Sequence, residues 1–284
     1  MNVLSLFDGM SCGRIALERT KFKIDNYYAS EIDPYAIKVS EINFPDIIRL
    51  GDILTLDVNS LVKIDLVMGG SPCQGFSFAG RQLNFQDPRS RLFFEFVDIL
   101  KKVLEINPRA KFLFENVYMK KEWQDVISKH LGCEPIEINS SLFSGQLRRR
   151  LYWTNICVIG TPNDAGVSLK DIIQNGYVDR DKSFCIDASY WKGGNPSQYV
   201  KKSRRQLVFS DDEILPKGFK RIEPMLIGGR MATGFRKLNP TECEMLQTVP
   251  VGFTDHVSNL RRYTMLGNGW TIDVISWILS FYYY

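Results

Sequence analysis

Asn2-Val3-Leu4-Ser5-Leu6-Phe7-Asp8-Gly9-Met10-Ser11-Cys12-Gly13 opens the chain with a short apolar run that ends on an acid and a glycine. Such a run is a buried strand over Asn2–Phe7, and the glycine-bearing segment behind it opens a helix. The glycines would let backbone approach a ligand, although their spacing is not Gly-x-Gly-x-x-Gly. With no basic residues ahead of it, the run reads as a first strand and not a signal peptide.

Working outward, Tyr27–Ile32, Leu66–Met68 and Lys111–Phe114 repeat the pattern: apolar, β-branched or aromatic, and closed by glycine or an acid. Between them Tyr35–Ile42 and Leu92–Ile106 carry apolar residues at helical spacing, with Leu92, Phe93, Phe96, Leu100, Val103 and Leu104 in one stripe. Strands alternating with helices predict an α/β fold with a doubly wound parallel sheet, which binds ligands at the carboxyl ends of its strands. The expected organisation is a first domain over 1–160, a small irregular or β lobe over 161–235 that is polar and rich in Gly, Asn and Ser, and a return segment over 236–284. In the return segment Asn239-Pro240-Thr241-Glu242 caps a helix running through Leu246, and Trp270–Tyr283 reads as a last helix whose apolar face docks on the first domain.

The 284 residues are 44% hydrophobic and 24% charged, an ordinary soluble composition, and no apolar run approaches the roughly 20 residues of a membrane span. A cytoplasmic protein without membrane contact is expected. The six cysteines, Cys12, Cys73, Cys133, Cys157, Cys185 and Cys243, form no Cys-x-x-Cys pair and have no histidine pair nearby, so neither a disulfide framework nor a metal site is expected. A net charge of +4 is a weak argument for a polyanionic partner. More telling is the clustering of Lys192, Lys201, Lys202, Arg204, Arg205, Lys217, Lys220, Arg221, Arg230, Arg236 and Lys237, which is either a solvated face or a footprint for phosphates.

Three strand ends have the makings of a nucleoside site. Phe7-Asp8-Gly9 follows the first strand, and Glu31 ends the second, where a carboxylate commonly takes ribose hydroxyls. Asp52 could accept from an adenine amino group or simply cap a turn. Then comes Ser71-Pro72-Cys73-Gln74-Gly75, a cysteine held in a proline- and glycine-rich loop behind a strand, where a thiol is more often a nucleophile than a core residue. Phe114-Glu115-Asn116-Val117 runs an apolar strand into a carboxylate that could act as an acid. In Gln146-Leu147-Arg148-Arg149-Arg150-Leu151, strand alternation would point Arg148 and Arg150 to one side.

This ordered set, completed by Leu238-Asn239-Pro240-Thr241-Glu242 with Gln247 and Pro250, and by Leu266-Gly267-Asn268, resembles the DNA (cytosine-5) methyltransferase family over nearly the whole chain except 161–235. Arg91-Leu92-Phe93-Phe94-Glu95-Phe96 and Phe253-Thr254-Asp255-His256-Val257-Ser258-Asn259 are similar to the catalytic domains of eukaryotic de novo DNA methyltransferases, whose reader domains are absent here. The first glycine loop departs from the usual bacterial Phe-Ala-Gly-x-Gly-Gly, and Gly267-Asn268-Gly269-Trp270 departs from Gly-Asn-x-Val.

The resemblance implies a Rossmann-like domain dependent on S-adenosyl-L-methionine, a target-recognition lobe at 161–235, and methylation of cytosine C5 in double-stranded DNA by a stand-alone bacterial or phage enzyme, with a cognate restriction endonuclease as a possible partner. It implies that Cys73 adds to C6, that Glu115 engages N3, that Asn116 positions base or loop, that Arg150 contacts O2, and that Arg148 holds Glu115 or a phosphate. The base must be flipped out of the duplex, with the Gly75–Arg89 loop closing over it. Phe7, Asp8, Gly9, Gly13, Glu31, Ile32, Asp52, Ile53, Pro72 and Leu92, with Asn268 and Trp270 from the far end of the chain, would hold the cofactor; no metal is needed. The alternatives are the same chemistry on tRNA, where Pro-Pro-Cys and Cys-Phe-Thr are typical and do not occur here, a non-catalytic DNA-binding homologue, and a thiol hydrolase using His130 or His256.

Overall fold

Strand β1 (Asn2–Leu6) lies third in a seven-stranded sheet in the order β3-β2-β1-β4-β5-β7-β6. The computed structural model describes residues 1–72, 91–202 and 205–283. Strands β2 (Asn26–Ser30), β3 (Ile48–Gly51), β4 (Leu66–Gly69) and β5 (Lys111–Val117) run parallel to β1, while β7 (Arg149–Thr154) pairs antiparallel with β5 and β6 (Ile136–Asn139) lies at the edge. The order reverses between β1 and β4, the switch point beside which α/β sheets of this kind bind ligands.

The sheet is built of residues that have no other place to go. Val3, Leu4, Leu6, Leu66, Val67 and Met68 are fully buried, as expected for parallel strands covered on both faces. Helix α3 (Arg91–Ile106) lays Phe93, Phe96, Val97, Leu100 and Val103 against Leu4, Leu6 and Val67, with the Phe96 ring 4.7 Å from that of Phe114 on β5. Each such side chain contributes about 1.5–3 kcal/mol through burial. Helices α1 (Cys12–Arg19), α2 (Pro34–Asn43) and α4 (Lys121–Leu131) complete the layers, and α8 (Ile272–Leu279) packs on α1 through an Arg19–Asp273 ion pair and a Ser276 hydroxyl donating to the Ala16 carbonyl at 3.3 Å. The expected last helix is shorter than its apolar stretch: α8 starts after Thr271 and stops at Leu279, and the following turn lets the Tyr282 hydroxyl donate to the Asp65 carbonyl at 3.1 Å.

The chain divides into two units: Met1–Ile138, Arg149–Thr161 and Ile272–Tyr284 form the first, and Asn139–Arg148 with Pro162–Thr271 the second. Of the expected return segment 236–284, the part up to Thr271 thus clusters with the second unit and only the rest with the first. The second unit carries a three-stranded antiparallel sheet, β8 (Leu207–Ser210), β10 (Arg230–Lys237) and β9 (Lys220–Ile227), with a short helix α5 (Pro196–Lys202). Tyr177, Tyr199, Leu207, Phe209, Ile227 and Ala232 form an apolar cluster around this sheet.

Charge is buried in this unit as well. Arg236 makes two hydrogen bonds to Glu242, at 2.7 and 2.8 Å, and Glu242 closes a capping box with Asn239 at the start of α6 (Pro240–Leu246). Arg262, on α7 (Asn259–Asn268), pairs with fully buried Glu244, which also accepts from the Gly252 and Thr254 amides. The basic run is therefore not one surface. Arg236 is a structural ion pair, Arg230 is held by Asp211, and Lys192, Lys201, Lys217, Lys220 and Arg221 are exposed; the Lys202 side chain and Arg204 lie outside the described residues. No helix among the described residues is long and apolar enough to cross a membrane.

Candidate active site

The turn after β1 is conformationally costly. Phe7, Gly9 and Ser11 all have positive φ, at 58°, 58° and 64°. Glycine adopts this region freely, but a residue with a Cβ does so at a cost of about 1–3 kcal/mol, which the surroundings must offset. They do so with hydrogen bonds: the Asp8 amide donates to the Ser30 carbonyl at 3.1 Å, and the Gly9 amide to Glu31 Oε2 at 2.7 Å. Gly13, in the first turn of α1, lets the helix approach the sheet, because a Cβ there would come within 2.7 Å of the Met68 side chain.

Glu31 follows β2 directly, beside this turn. Its Oε1 accepts from the Ile32 and Asp33 amides at 2.7 and 2.8 Å, and its Oε2 accepts the Gly9 amide. Ile32 next to it is 69% exposed, an apolar surface adjoining a carboxylate. Asp52 ends β3, where its Oδ1 accepts the Leu54 amide at 3.0 Å and caps a single 3₁₀ turn over Ile53–Thr55, with Ile53 buried. The Ser30 hydroxyl donates to the Gly51 carbonyl at 2.8 Å and ties the ends of β2 and β3 together. Asp8 differs from the other predicted cofactor residues, because its carboxylate is fully covered. Burial pushes its carboxyl above the usual range, against the lowering effect of hydrogen bonds from Ser11, Ser5 and Tyr27 and of the Arg49 charge.

The next strand ends hold the acid. Beyond β4 the chain continues through buried Ser71 to Pro72; Cys73 and the Gly75–Arg89 loop lie outside the described residues. Glu115 and Asn116 sit near the carboxyl end of β5, and Asn116, 1% exposed, brings Nδ2 to 3.4 Å from Ser71 Oγ. Leu92 lies partly buried in the first turn of α3. Across the antiparallel pairing Arg150 opposes Val117, so its side chain reaches the diagonal neighbour on the same face. That neighbour is Glu115, whose Oε1 lies 2.9 Å from Arg150 Nε, both side chains largely buried.

Glu115 is therefore paired with Arg150, where the resemblance implied that Arg148 holds Glu115 or a phosphate. Strand β7 begins at Arg149, so the two-residue alternation does not extend to Arg148. Arg148 lies in the second unit, 2% exposed, and its guanidinium donates to the carbonyls of Ile186 (3.0 Å), Gly267 (3.1 Å) and Gly269 (2.8 Å). It thereby clamps both sides of Asn268, an exposed residue at the end of α7, just ahead of partly buried Trp270. Gln247 joins the clamp by donating to the Leu266 carbonyl at 2.6 Å and accepting from Gln146 and Thr271. Sequence reasoning missed Ser71 as the partner of Asn116, and Tyr27, Ser40 and Arg49 beneath the first turn; only their positions on neighbouring elements reveal them. His130 packs edge-on against Phe94, ring centroids 5.3 Å apart.

Residues 1–125 match the family model described as C-5 cytosine-specific DNA methylase. Over that stretch, less than half of its length, the chain is similar to this family. It is 28% identical over 303 aligned positions to the type II methyltransferase M1.ScrFI of Lactococcus lactis subsp. cremoris, covering 96% of this chain and 75% of that one. It is 41% identical over 119 residues to the orphan methyltransferase M.Rho11sI of Bacillus phage rho11s, covering 41% of this chain and only 23% of the phage protein. Among solved structures, the Entamoeba histolytica methyltransferase EhMeth superposes with a TM-score of 0.74 over 100% of this chain and 98% of its own, at 15% identity, which shows a shared fold. The matched 1–125 region contains Cys73, Glu115 and Asn116 and ends before Arg148 and Arg150.

Proposed function

We propose that this protein transfers a methyl group from S-adenosyl-L-methionine to C5 of cytosine in double-stranded DNA, on a base flipped out of the helix and bonded transiently to Cys73 through C6. The observation that carries the reading is the Glu115–Arg150 pair, 2.9 Å apart on β5 and β7, with Ser71 braced by Asn116 one strand away. A carboxyl group and a guanidinium side by side match the N3 and O2 edge of cytosine.

The carboxyl ends of β1, β2 and β3 fit a nucleoside sulfonium: a carboxylate, an exposed isoleucine beside it, and a turn of backbone amides near the switch point. Phe7, Gly9, Glu31, Ile32, Asp52, Ile53, Pro72 and Leu92 would hold it. The cofactor supplies an electrophilic methyl group and leaves as S-adenosyl-L-homocysteine. The protein's part is to make C5 nucleophilic. The Cys73 thiolate adds to C6, Glu115 hydrogen-bonds or protonates N3 as charge moves into the ring, and Arg150 steadies O2. Once C5 is substituted, loss of its proton expels the thiolate and restores the aromatic ring.

The exposed Lys217, Lys220 and Arg221 around β9 would contact phosphates in a target-recognition lobe, and a two-stranded ribbon such as β9–β10 suits the major groove. A cytoplasmic bacterial or phage modification enzyme fits the type II and orphan relatives, with or without a cognate endonuclease. The test is incubation of the purified chain with methyl-labelled cofactor and either duplex DNA or tRNA. Label is expected in DNA as 5-methylcytosine and absent with Cys73→Ser. Label confined to tRNA, or retained by the variant, overturns the reading.

A further inference from the structure

The departure of the first glycine loop from the usual bacterial pattern places Asp8 and Ser11 where they meet three other elements. The Tyr27 hydroxyl on β2 donates to Asp8 Oδ1 at 2.8 Å, and the Ser11 hydroxyl donates to Oδ2. Ser11 is in turn hydrogen-bonded to Ser40 on α2, and Ser40 Oγ accepts from Arg49 Nη2 on β3 at 2.7 Å. Arg49 Nη1 stands 3.9 Å from Asp8 Oδ2, and its Nε and Nη1 have no hydrogen-bond partner among the described residues, so the guanidinium balances the buried carboxylate by charge. The whole cluster lies beneath the left-handed turn, whose Gly9 amide is aimed at Glu31.

We propose that Asp8 is a positioning residue for the cofactor: anchored by Tyr27 and Arg49, it holds the Phe7–Ser11 turn in its left-handed form and so sets Glu31 for the ribose. This rests on the cofactor reading proposed above. Direct contact between the Asp8 carboxylate and a ligand is excluded by its complete burial. The turn cannot relax without breaking the Tyr27 and Ser11 bonds, and Glu31 loses its Gly9 donor if it does. The same network explains why an acid can stand where small residues are usual. Ser11, Ser40, Tyr27 and Arg49 together supply what a buried carboxylate requires.

The experiment measures the dissociation constant of S-adenosyl-L-homocysteine by calorimetry on the full chain, for wild type, Asp8→Ala and Tyr27→Phe, with thermal melting to confirm folding. Loss of one anchoring hydrogen bond should weaken binding by about threefold to tenfold in Tyr27→Phe, and loss of the carboxylate by about tenfold or more in Asp8→Ala. KM for the cofactor should rise in parallel, while kcat at saturating cofactor and KM for DNA hold. Should Asp8→Ala not fold, Tyr27→Phe decides, since its ring keeps its packing. Folded variants that bind as tightly as wild type, or a KM for DNA that shifts as much as that for the cofactor, overturn the proposal. Failure of wild type itself to bind S-adenosyl-L-homocysteine overturns the functional reading beneath it.

Discussion

The two units bury different things. The first is held by aromatic and aliphatic side chains, Phe93, Phe96, Leu100 and Phe114 among them, and its one described, fully covered carboxylate, Asp8, lies under the candidate cofactor turn. The second has an apolar cluster of its own and is held in addition by the Arg236–Glu242 and Arg262–Glu244 pairs and by Arg148 on backbone carbonyls. Hydrophobic burial is non-directional and tolerates some repacking, whereas a buried ion pair depends on both partners. Buried charge in the first unit therefore lies at the candidate site, and in the second it is part of the scaffold.

The largest effect should come from breaking a pair in the second unit. Arg236→Ala leaves Glu242 buried without its guanidinium and should cost about 3–5 kcal/mol in denaturant unfolding. Leu100→Ala in the first unit should cost about 2–4 kcal/mol through lost burial and a cavity. An Arg236 variant as stable as wild type would erase the contrast between the units. Asn239→Ala, which removes one half of the capping box on α6, should cost about 1 kcal/mol.

The smallest effect is a pH dependence. Asp8 titrates above its unfolded value, so its contribution is present in full below the unfolded carboxylate range, near 3.8, and declines as pH rises through the raised folded pKa. The stability of wild type relative to Asp8→Asn should therefore fall as pH increases across that window and then level off. A flat difference would show that Asp8 is not the buried charge described.

This contrast also explains what could be read in the sequence. Strands β1, β2, β4 and β5 and helices α2 and α3 are legible because burial on both faces leaves continuous apolar runs or a helical stripe. Helix α4 carried a readable signal in Trp123, Ile127 and Leu131 at four-residue spacing. Helix α7 did not, because Asn259-Leu260-Arg261-Arg262 looks like surface while Arg262 is buried on Glu244. Arg236 reads as one of a basic cluster for the same reason, while it is buried on Glu242.

Within the site, Glu115 stood out as an acid at the end of an apolar strand. Its pairing with Arg150 depended on where β7 begins, and alternation cannot locate that. Asp8 reads as a ligand contact by its place in a glycine loop; that it is instead covered depends on Tyr27, Ser40 and Arg49, brought in by other elements.

The central claim, a Cys73 adduct at cytosine C6, is tested most directly by incubating the enzyme and cofactor with duplex DNA in which the target cytosine carries fluorine at C5. Fluorine cannot leave as a proton does, so the adduct should persist, and peptide mass spectrometry should place the base on Cys73. An adduct on another residue, or none from an enzyme that methylates the unmodified duplex, would contradict the account.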